Sequence, residues 1–125
     1  RIRTVKCFRD NGLVKQLANS EGKGAVMVVD GGGSVASALM GDQIAAAACK
    51  NNWAGVIIFG VIRDSVAINR MEFGLKALGT NPRKSAKDGV GEIDVTVSFG
   101  NVNFVPHAYL YSDEDGILVS AEPLA

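Results

Sequence analysis

Residues 25–64 read AVMVVDGGGSVASALMGDQIAAAACKNNWAGVIIFGVIRD, and this stretch decides the fold class. Within it, residues 25–29 and 55–60 are continuous apolar runs of strand length, which is typical of strands buried on both faces of a sheet. Residues 42–51 between them are rich in alanine, the best helix former, and predict a helix with Asp42 as its N-terminal cap. Strands and helices in alternation indicate an α/β domain.

The flanking sequence extends this pattern in both directions. Upstream, residues 2–8 alternate like a strand, and Leu13 and Leu17 predict a short amphipathic helix. Downstream we expect a short helix over residues 64–71 capped by Asp64, a strand over 73–79, a polar loop over 80–91, and antiparallel strands over 95–120 with a hairpin turn at Asp115-Gly116. No repeat or composition break divides the chain, so residues 1–125 are expected to form one domain.

Composition and charge exclude several classes of protein. Apolar residues make up 47% of the chain and charged residues 21%, which excludes a disordered chain. The 13 basic residues balance 13 acidic residues, whereas nucleic-acid-binding proteins usually carry a basic excess. No apolar run reaches the roughly 18 residues of a membrane helix, and no secretory signal is visible. We therefore expect a cytoplasmic protein without a membrane or nucleic-acid partner, and a missing N-terminal piece because the chain begins at Arg1 within a strand.

Several local patterns have an ordinary structural explanation. The loop Asp30-Gly31-Gly32-Gly33 loosely fits a nucleotide-binding glycine motif, but no acidic residue follows about 20 positions later, so a tight turn is favoured. The remaining candidates are read as reduced core cysteines (Cys7, Cys49), a surface or hydrogen-bonded histidine (His107), a solvated hairpin tip (Asp113, Glu114, Asp115) and a solvated basic loop (Arg83, Lys84, Lys87).

The most informative pattern joins two short segments at strand-to-helix turns, Gly41-Asp42-Gln43-Ile44 and Arg63-Asp64. A helix N-terminus presents unpaired N–H groups and partial positive charge, and an arginine fork can hold a carboxylate with two hydrogen bonds. A neighbouring aspartate could carry Mg²⁺, which needs only one or two protein carboxylates besides water and substrate oxygens. Alternatively, Asp42 and Asp64 only cap helices and Arg63 forms a surface ion pair, and the spacing alone leaves both explanations open.

The sequence resembles the regulator of ribonuclease activity A-like (RraA-like) family over nearly its whole length. The resemblance rests on the runs VVDGGGSVASALMGDQIAAAA, NNWAGVIIFGVIRD, GLKALGTNPRKSAKDGVGEIDVTVSFGNV and YLYSDEDGILVS, which occur in this order. It also rests on Asp42, twenty intervening residues and Arg63-Asp64, which match the family's D-x20-R-D signature. The family implies an α/β fold, a swivelling domain of β/β/α layers with a mixed sheet, here lacking its N-terminal helices. It also implies a homotrimer with active sites at subunit interfaces.

The same resemblance implies an activity and a role for individual residues. The activity is that of a class II pyruvate aldolase, which cleaves 4-hydroxy-4-methyl-2-oxoglutarate to pyruvate or decarboxylates oxaloacetate with Mg²⁺ or Mn²⁺. By position, the segment Gly41-Asp42-Gln43-Ile44 would line the substrate, and Asp42 would lie beside the proton-transfer water. Arg63 would hold the pyruvate carboxylate and Asp64 would bind the metal.

Two alternatives to the metal-dependent lyase remain. Some members of the family are regulators of ribonuclease E, so a non-catalytic protein-binding regulator is the first alternative. Active members often carry an acid three places after the R-D aspartate, where this chain has Ala67, whereas the bacterial regulator lacks the aspartate that Asp64 supplies. An S-adenosyl-dependent methyltransferase rests on the glycine-rich loop alone and is the weakest reading.

Overall fold

The computed structural model of the protein describes residues 1–113 and 115–124. In chain order the described elements are β1 (Ile2–Lys6), α1 (Gly12–Ala18), β2 (Val26–Asp30), β3 (Ala38–Met40), α2 (Asp42–Lys50), β4 (Gly55–Ile62), α3 (Ser65–Asn69), β5 (Gly74–Thr80), β6 (Glu92–Ile93), β7 (Val97–Phe99), β8 (Val102–Phe104), β9 (Tyr109–Ser112) and β10 (Ile117–Ser120). Every helix and strand that the sequence pattern predicts is present, with boundaries that shift by a few residues.

The central sheet has six strands. β3, β4, β2, β1 and β6 lie in this order, and β5 pairs with β4 as well. The pairings are parallel except for β1 with β6, which is antiparallel, so the predicted mixed sheet is confirmed. β4 is buried along nearly its whole length, which is the reason for its continuous apolar sequence.

Alternation of side chains along β2 divides the core into two layers. Met27 and Val29 pack in one buried cluster with Val14 of α1, whereas Val28 packs on the opposite face with Phe104 of β8. The three helices contribute to the first cluster, and the hairpins β7–β8 and β9–β10 cover the second face. The described residues therefore stack in the α, β and β layers that the swivelling-domain resemblance implied.

Two predicted boundaries are wrong for identifiable reasons. Gly41 rather than Asp42 is the N-cap of α2, because Gly41 is extended (φ −118°, ψ −169°) and its carbonyl accepts the Ala45 N–H at 3.0 Å. Asp42 is instead the first helical residue. β1 ends at Lys6 rather than at residue 8, because Phe8 is exposed and Arg9 adopts a positive φ of 54°.

The glycine-rich loop forms the tight turn that the sequence favoured. Gly32 and Gly33 have φ values of 67° and 71°, a backbone region in which only glycine is free of steric cost. At Gly31 a Cβ atom would lie 2.5 Å from Cδ1 of Leu39. The loop leads into β3 and not into a helix, so it lacks the helix N-terminus on which dinucleotide-binding loops rely.

Neither the cysteines nor the histidine belong to a metal-binding cluster within residues 1–113 and 115–124. Cys7 and Cys49 are both free, and Cys7 is buried whereas Cys49 is partly buried. Burial, with the charges of Asp10 and Asp30, raises the pKa of the Cys7 thiol to about 12, which makes it unreactive at neutral pH. His107 is an exposed loop residue with a φ of 70°.

The β9–β10 hairpin is closed by the predicted acidic turn. The Oδ1 atom of Asp113 accepts the N–H groups of Asp115 and Gly116 at 2.8 and 3.1 Å. Glu114, which the sequence places in the same tip, lies outside the described residues. Across the described part of the chain, no helix has the length and apolarity that a membrane crossing requires.

Candidate active site

The two predicted site segments meet because they follow neighbouring strands of the sheet. β3 and β4 run parallel with Met40 opposite Ile62, so the residues after these strands leave the sheet at the same edge. The backbone N–H of Arg63 donates to the carbonyl of Met40 at 3.0 Å. Gly41 and Arg63 are therefore neighbours in space although 21 residues separate them along the chain.

The Arg63 side chain lies directly against Gly41. A Cβ atom at position 41 would be 2.8 Å from Nε and 2.9 Å from Cζ of Arg63. The extended backbone at Gly41 suits any residue, so glycine is needed here for space and not for its backbone freedom. The guanidinium therefore lies beside the N-terminus of α2.

Asp64 connects the two segments. Its Oδ2 atom accepts the backbone N–H of Asp42 at 3.2 Å and lies 3.3 Å from Nη1 of Arg63. Asp64 occupies the N-cap position of α3, as predicted, but its side chain makes no capping hydrogen bond there. The Asp64 side chain therefore faces the other segment and not its own helix.

The backbone at Asp64 is in the left-handed region, with φ 58° and ψ 37°. Aspartate tolerates this region better than most residues, yet the conformation has a cost that the surrounding structure must offset. The side chains of Arg63 and Asp64 are 29% and 34% exposed, so their ion pair contributes at most about 1 kcal/mol to stability. The arrangement is thus poorly explained by stability and points to a role in binding.

A cavity of about 240 Å³ opens beside these residues. Of the predicted site residues, Gly41, Gln43, Ile44 and Arg63 line it. Asp64, which is paired with Arg63, and Asp42, which donates its N–H to Asp64, lie next to these residues without lining the cavity. The other lining residues are Asn11, Lys15, Asn19, Ala38, Ala47, Lys84 and Lys87. The structure therefore brings all six predicted residues together and adds a ring of polar and cationic side chains.

The sequence reasoning missed the cationic lining. The sequence predicts a solvated loop for Lys84 and Lys87, but this loop returns to the sheet, where Lys84 forms a β-bridge with Ala38. Lys15 projects from α1, which the sequence identified only as a structural helix. The basic cluster of the loop was visible in the sequence, but its position depends on pairing between segments more than 40 residues apart.

One lining residue has an unsatisfied polar atom. Asn11 is only 7% exposed, and its Oδ1 atom has no hydrogen-bond partner among the described residues. Buried acceptors are nearly always paired, since an unpaired one costs about 1–3 kcal/mol. Asn11 therefore places a buried amide oxygen without a partner among the described residues next to the cavity that its residue lines.

The acidic side chains of the site suit a metal ion that takes few of its ligands from the protein. No group of three or more His, Cys, Asp or Glu side chains is arranged for metal binding in residues 1–113 and 115–124. Within the same residues the Oδ1 atom of Asp64 makes no hydrogen bond, which leaves one carboxylate oxygen available. Mg²⁺ typically binds through one or two carboxylates and completes its shell with water and substrate oxygens, so the donor set at Asp64 fits such an ion.

Comparisons with known proteins agree with this architecture. A putative 4-hydroxy-4-methyl-2-oxoglutarate aldolase from Aromatoleum aromaticum is 53% identical over 124 residues, which is 99% of this chain and 78% of the relative. A crystal structure from Geobacillus kaustophilus, described as an S-adenosylmethionine:2-dimethylmenaquinone methyltransferase, superposes with a TM-score of 0.96 at 48% identity over 98% of this chain and 76% of that one. The RNA-processing inhibitor RraA from Thermus thermophilus superposes with a TM-score of 0.98 at 43% identity over 100% and 76%.

The two solved structures share this fold but have different names, so the fold alone does not select one activity. The sequence model of the RraA-like family, Aldolase/RraA, matches residues 1–119. This match and the 53% identity over nearly the whole chain agree with the motifs that first suggested the family. The chain belongs to the RraA-like family.

Proposed function

We propose that this protein is a divalent-metal-dependent lyase that cleaves 4-hydroxy-4-methyl-2-oxoglutarate to pyruvate and decarboxylates oxaloacetate. The observation that carries the proposal is the contact of Gly41, Arg63 and Asp64 at the edge of a cationic cavity. Relatives at 50–53% identity that are named putative 4-hydroxy-4-methyl-2-oxoglutarate aldolases support a lyase.

The charge of the cavity supports an anionic substrate. Four cationic side chains line it (Lys15, Arg63, Lys84 and Lys87), and no aspartate or glutamate from the described residues does so. Both proposed substrates carry two carboxylates. Charge-assisted hydrogen bonds to carboxylates are roughly twice as strong as neutral ones, so this lining favours dianionic over monoanionic 2-oxo acids.

Each site residue has a distinct task in the proposed reaction. The Arg63 fork holds the carboxylate next to the 2-oxo group, and its contact with Gly41 fixes its orientation. Asp64 would hold the metal through its carboxylate. When bound, Mg²⁺ or Mn²⁺ supplies a Lewis acid that stabilises negative charge on the 2-oxo oxygen. Asp42 holds the water that protonates the pyruvate carbon after C–C cleavage, and Gln43 and Ile44 line the substrate.

We further infer that the protein assembles as a homotrimer with the sites near subunit interfaces, as the family resemblance implies. Light scattering at micromolar concentration should give the mass of three chains. A monomeric mass would contradict this part of the proposal.

A second function has its own support. The neighbour named RNA-processing inhibitor RraA has a TM-score of 0.98, so the fold is equally suited to a protein-binding regulator of the ribonuclease E type. Such a regulator needs neither the Arg63–Asp64 pair nor a cationic cavity. The two functions differ in whether these residues act on a small molecule.

The decisive experiment measures pyruvate release from oxaloacetate by the parent protein with saturating Mg²⁺, and again after chelation. The Asp64→Asn variant is the companion, because it keeps the shape of the side chain and removes the charge that would hold the metal. We expect activity only in the parent with metal, and parent-like melting of the variant. A parent without metal-dependent activity would refute the lyase and leave the regulator, with Ala67 in place of the family's frequent acid as the reason.

A further inference from the structure

A buried carboxylate that the proposed reaction does not use belongs to the residue just before Asn11, which lines the cavity. Asp10 is 5% exposed and follows β1 just before α1. Its Oδ1 atom accepts the N–H groups of Gly12 at 2.9 Å and Gly89 at 3.1 Å, and its Oδ2 atom accepts those of Asp88 at 3.1 Å and Val90 at 3.4 Å. One side chain therefore binds four backbone groups, three of which belong to a turn 78–80 residues further along the chain.

The backbone on either side of Asp10 is joined to the same loop. Asp10 forms a parallel β-bridge with Ala86, the N–H of Asn11 donates to the Ala86 carbonyl at 2.8 Å, and the N–H of Ala86 donates to the Arg9 carbonyl at 3.0 Å. The two backbones also touch, since a Cβ atom at Gly12 would lie 2.5 Å from the nitrogen of Gly89. Residues 86–90 are thus held against the segment that leads into α1, and the Asp10 carboxylate accepts three of the hydrogen bonds that join them.

The segments joined in this way carry some of the polar residues that line the cavity. Asn11 is the chain neighbour of Asp10, Lys87 is the chain neighbour of Asp88, and Lys84 lies on the same loop. Lysine side chains have high rotamer entropy, so a fixed backbone is required if their charges are to meet a ligand in a defined geometry. Burial raises the pKa of the Asp10 carboxyl, but the four N–H donors lower it more, so that it lies below its usual range and the group is charged at neutral pH.

We propose that Asp10 is a positioning residue, which sets the affinity of the site for dianionic substrates by holding Lys87 and Asn11 at the cavity without touching the substrate itself. This inference rests on the proposed function for the identity of the ligand. Asparagine at position 10 has only one acceptor oxygen in its side chain, whereas aspartate has two. In Asp10→Asn the amide NH₂ group must therefore face backbone N–H groups that in the parent donate to a carboxylate oxygen. The turn at 88–90 would then separate from the start of α1, and Lys87 and Asn11 would lose their common geometry.

The test uses Asp10→Asn, with Gly12→Ala as a second variant that pushes the same turn away through a Cβ clash and leaves every charge in place. Asp94→Asn is the matched control, because Asp94 also accepts hydrogen bonds from its surroundings, through Arg3 at 3.1 and 2.6 Å, but neither residue lines the cavity. Two quantities are measured in each variant with Mg²⁺ present: KM and kcat for oxaloacetate, and the Kd of oxalate by calorimetry.

We expect Asp10→Asn and Gly12→Ala to raise KM and the oxalate Kd at least about tenfold, with kcat changed less than about threefold, since a displaced binding group lowers affinity more than the chemical step. Asp94→Asn should match the parent in both quantities. If Asp10→Asn and Gly12→Ala both fold and bind oxalate like the parent, Asp10 is merely structural and the inference is overturned. The inference is also overturned if Asp94→Asn weakens oxalate binding as much as these two variants do.

Oxaloacetate turnover and oxalate binding distinguish a failure of this inference from a failure of the proposed function. If the parent does not turn over oxaloacetate but binds oxalate, and Asp10→Asn weakens that binding, the lyase fails while the positioning role stands. If the parent neither reacts with oxaloacetate nor binds oxalate, both fail. Should Asp10→Asn not fold, Gly12→Ala decides alone, and parent-like oxalate binding in that variant overturns the inference.

Discussion

Replacing Gly41 by alanine tests the geometry of the site with a single added methyl group. The new Cβ would lie 2.8, 2.9 and 3.0 Å from Nε, Cζ and Nη2 of Arg63, whereas ordinary contacts are 3.4–4 Å. The guanidinium must therefore move away by more than about 0.5 Å, which is enough to disturb a bidentate hydrogen bond to a carboxylate. Because displacements of about 1 Å in a site can cost about a hundredfold in rate, we expect kcat/KM for oxaloacetate to fall about ten- to a hundredfold.

The same substitution should have a small effect on stability. Its backbone conformation is open to any residue, and alanine is only a weaker N-cap than glycine, so the loss is expected to be about 1 kcal/mol or less. Gly79→Ala is the matched control, since a Cβ at this strand position meets nothing within 4 Å. The assay combines pyruvate release with saturating Mg²⁺ and a thermal melt. A folded Gly41→Ala variant with kcat/KM within twofold of the parent would show that the Arg63 position does not matter for turnover.

Three further predictions concern single side chains. Arg63→Lys should abolish most of kcat/KM although it keeps the charge, because an ammonium cannot form two parallel hydrogen bonds. Unchanged turnover, with a shift in unfolding free energy below about 1 kcal/mol, would instead support a surface ion pair at Arg63. Lys87→Met should raise KM for oxaloacetate about tenfold by removing one charge-assisted hydrogen bond, while an unchanged KM would remove Lys87 from the binding site. Asp94 accepts hydrogen bonds from Arg3 that hold its pKa below the usual value despite partial burial. Its contribution to stability is therefore present above about pH 4 and is lost as the pH falls through the lowered pKa. Equal acid sensitivity of the parent and Asp94→Asn in thermal melts between about pH 5 and 2 would contradict this prediction.

The sequence was sufficient to predict the parts of the fold that depend on local periodicity. The apolar runs of β2 and β4 identify buried strands, and the alanine-rich segment identifies α2. The nearness of Arg63 to residue 41 was also predictable, because both follow strands that leave the same edge of a sheet. The cap of α2 was misplaced by one residue, since Gly41 fills the N-cap position by its backbone alone and Asp42 instead donates its N–H to Asp64.

The parts that escaped prediction depend on contacts between distant segments. Asp10 and its four N–H donors are individually ordinary residues, and no local pattern links position 10 to a turn about 80 residues later. The same holds for the basic loop, whose lysines look solvated in the sequence because their pairing with Ala38 is not encoded by spacing. Polar residues that satisfy backbone groups across the fold give no periodic signal, so they become visible only in three dimensions.

The neutral composition of the chain does not predict the strongly cationic site, because that site is also assembled from distant segments. The charges of thirteen basic and thirteen acidic residues cancel over the whole sequence. The cavity, however, is lined by cationic side chains from α1, from the residue after β4 and from the loop at 84–87, and by no acidic side chain of the described residues. At physiological ionic strength charges are screened over about 8 Å, so a ligand in the cavity responds to these neighbours and hardly to the net charge. Zero net charge argues against a nucleic-acid partner, which needs an extended basic surface, but it carries no information about a small anion. The selection of anions is therefore set by which few segments the fold brings together, and Asp10 contributes to it from outside the cavity by fixing one of them.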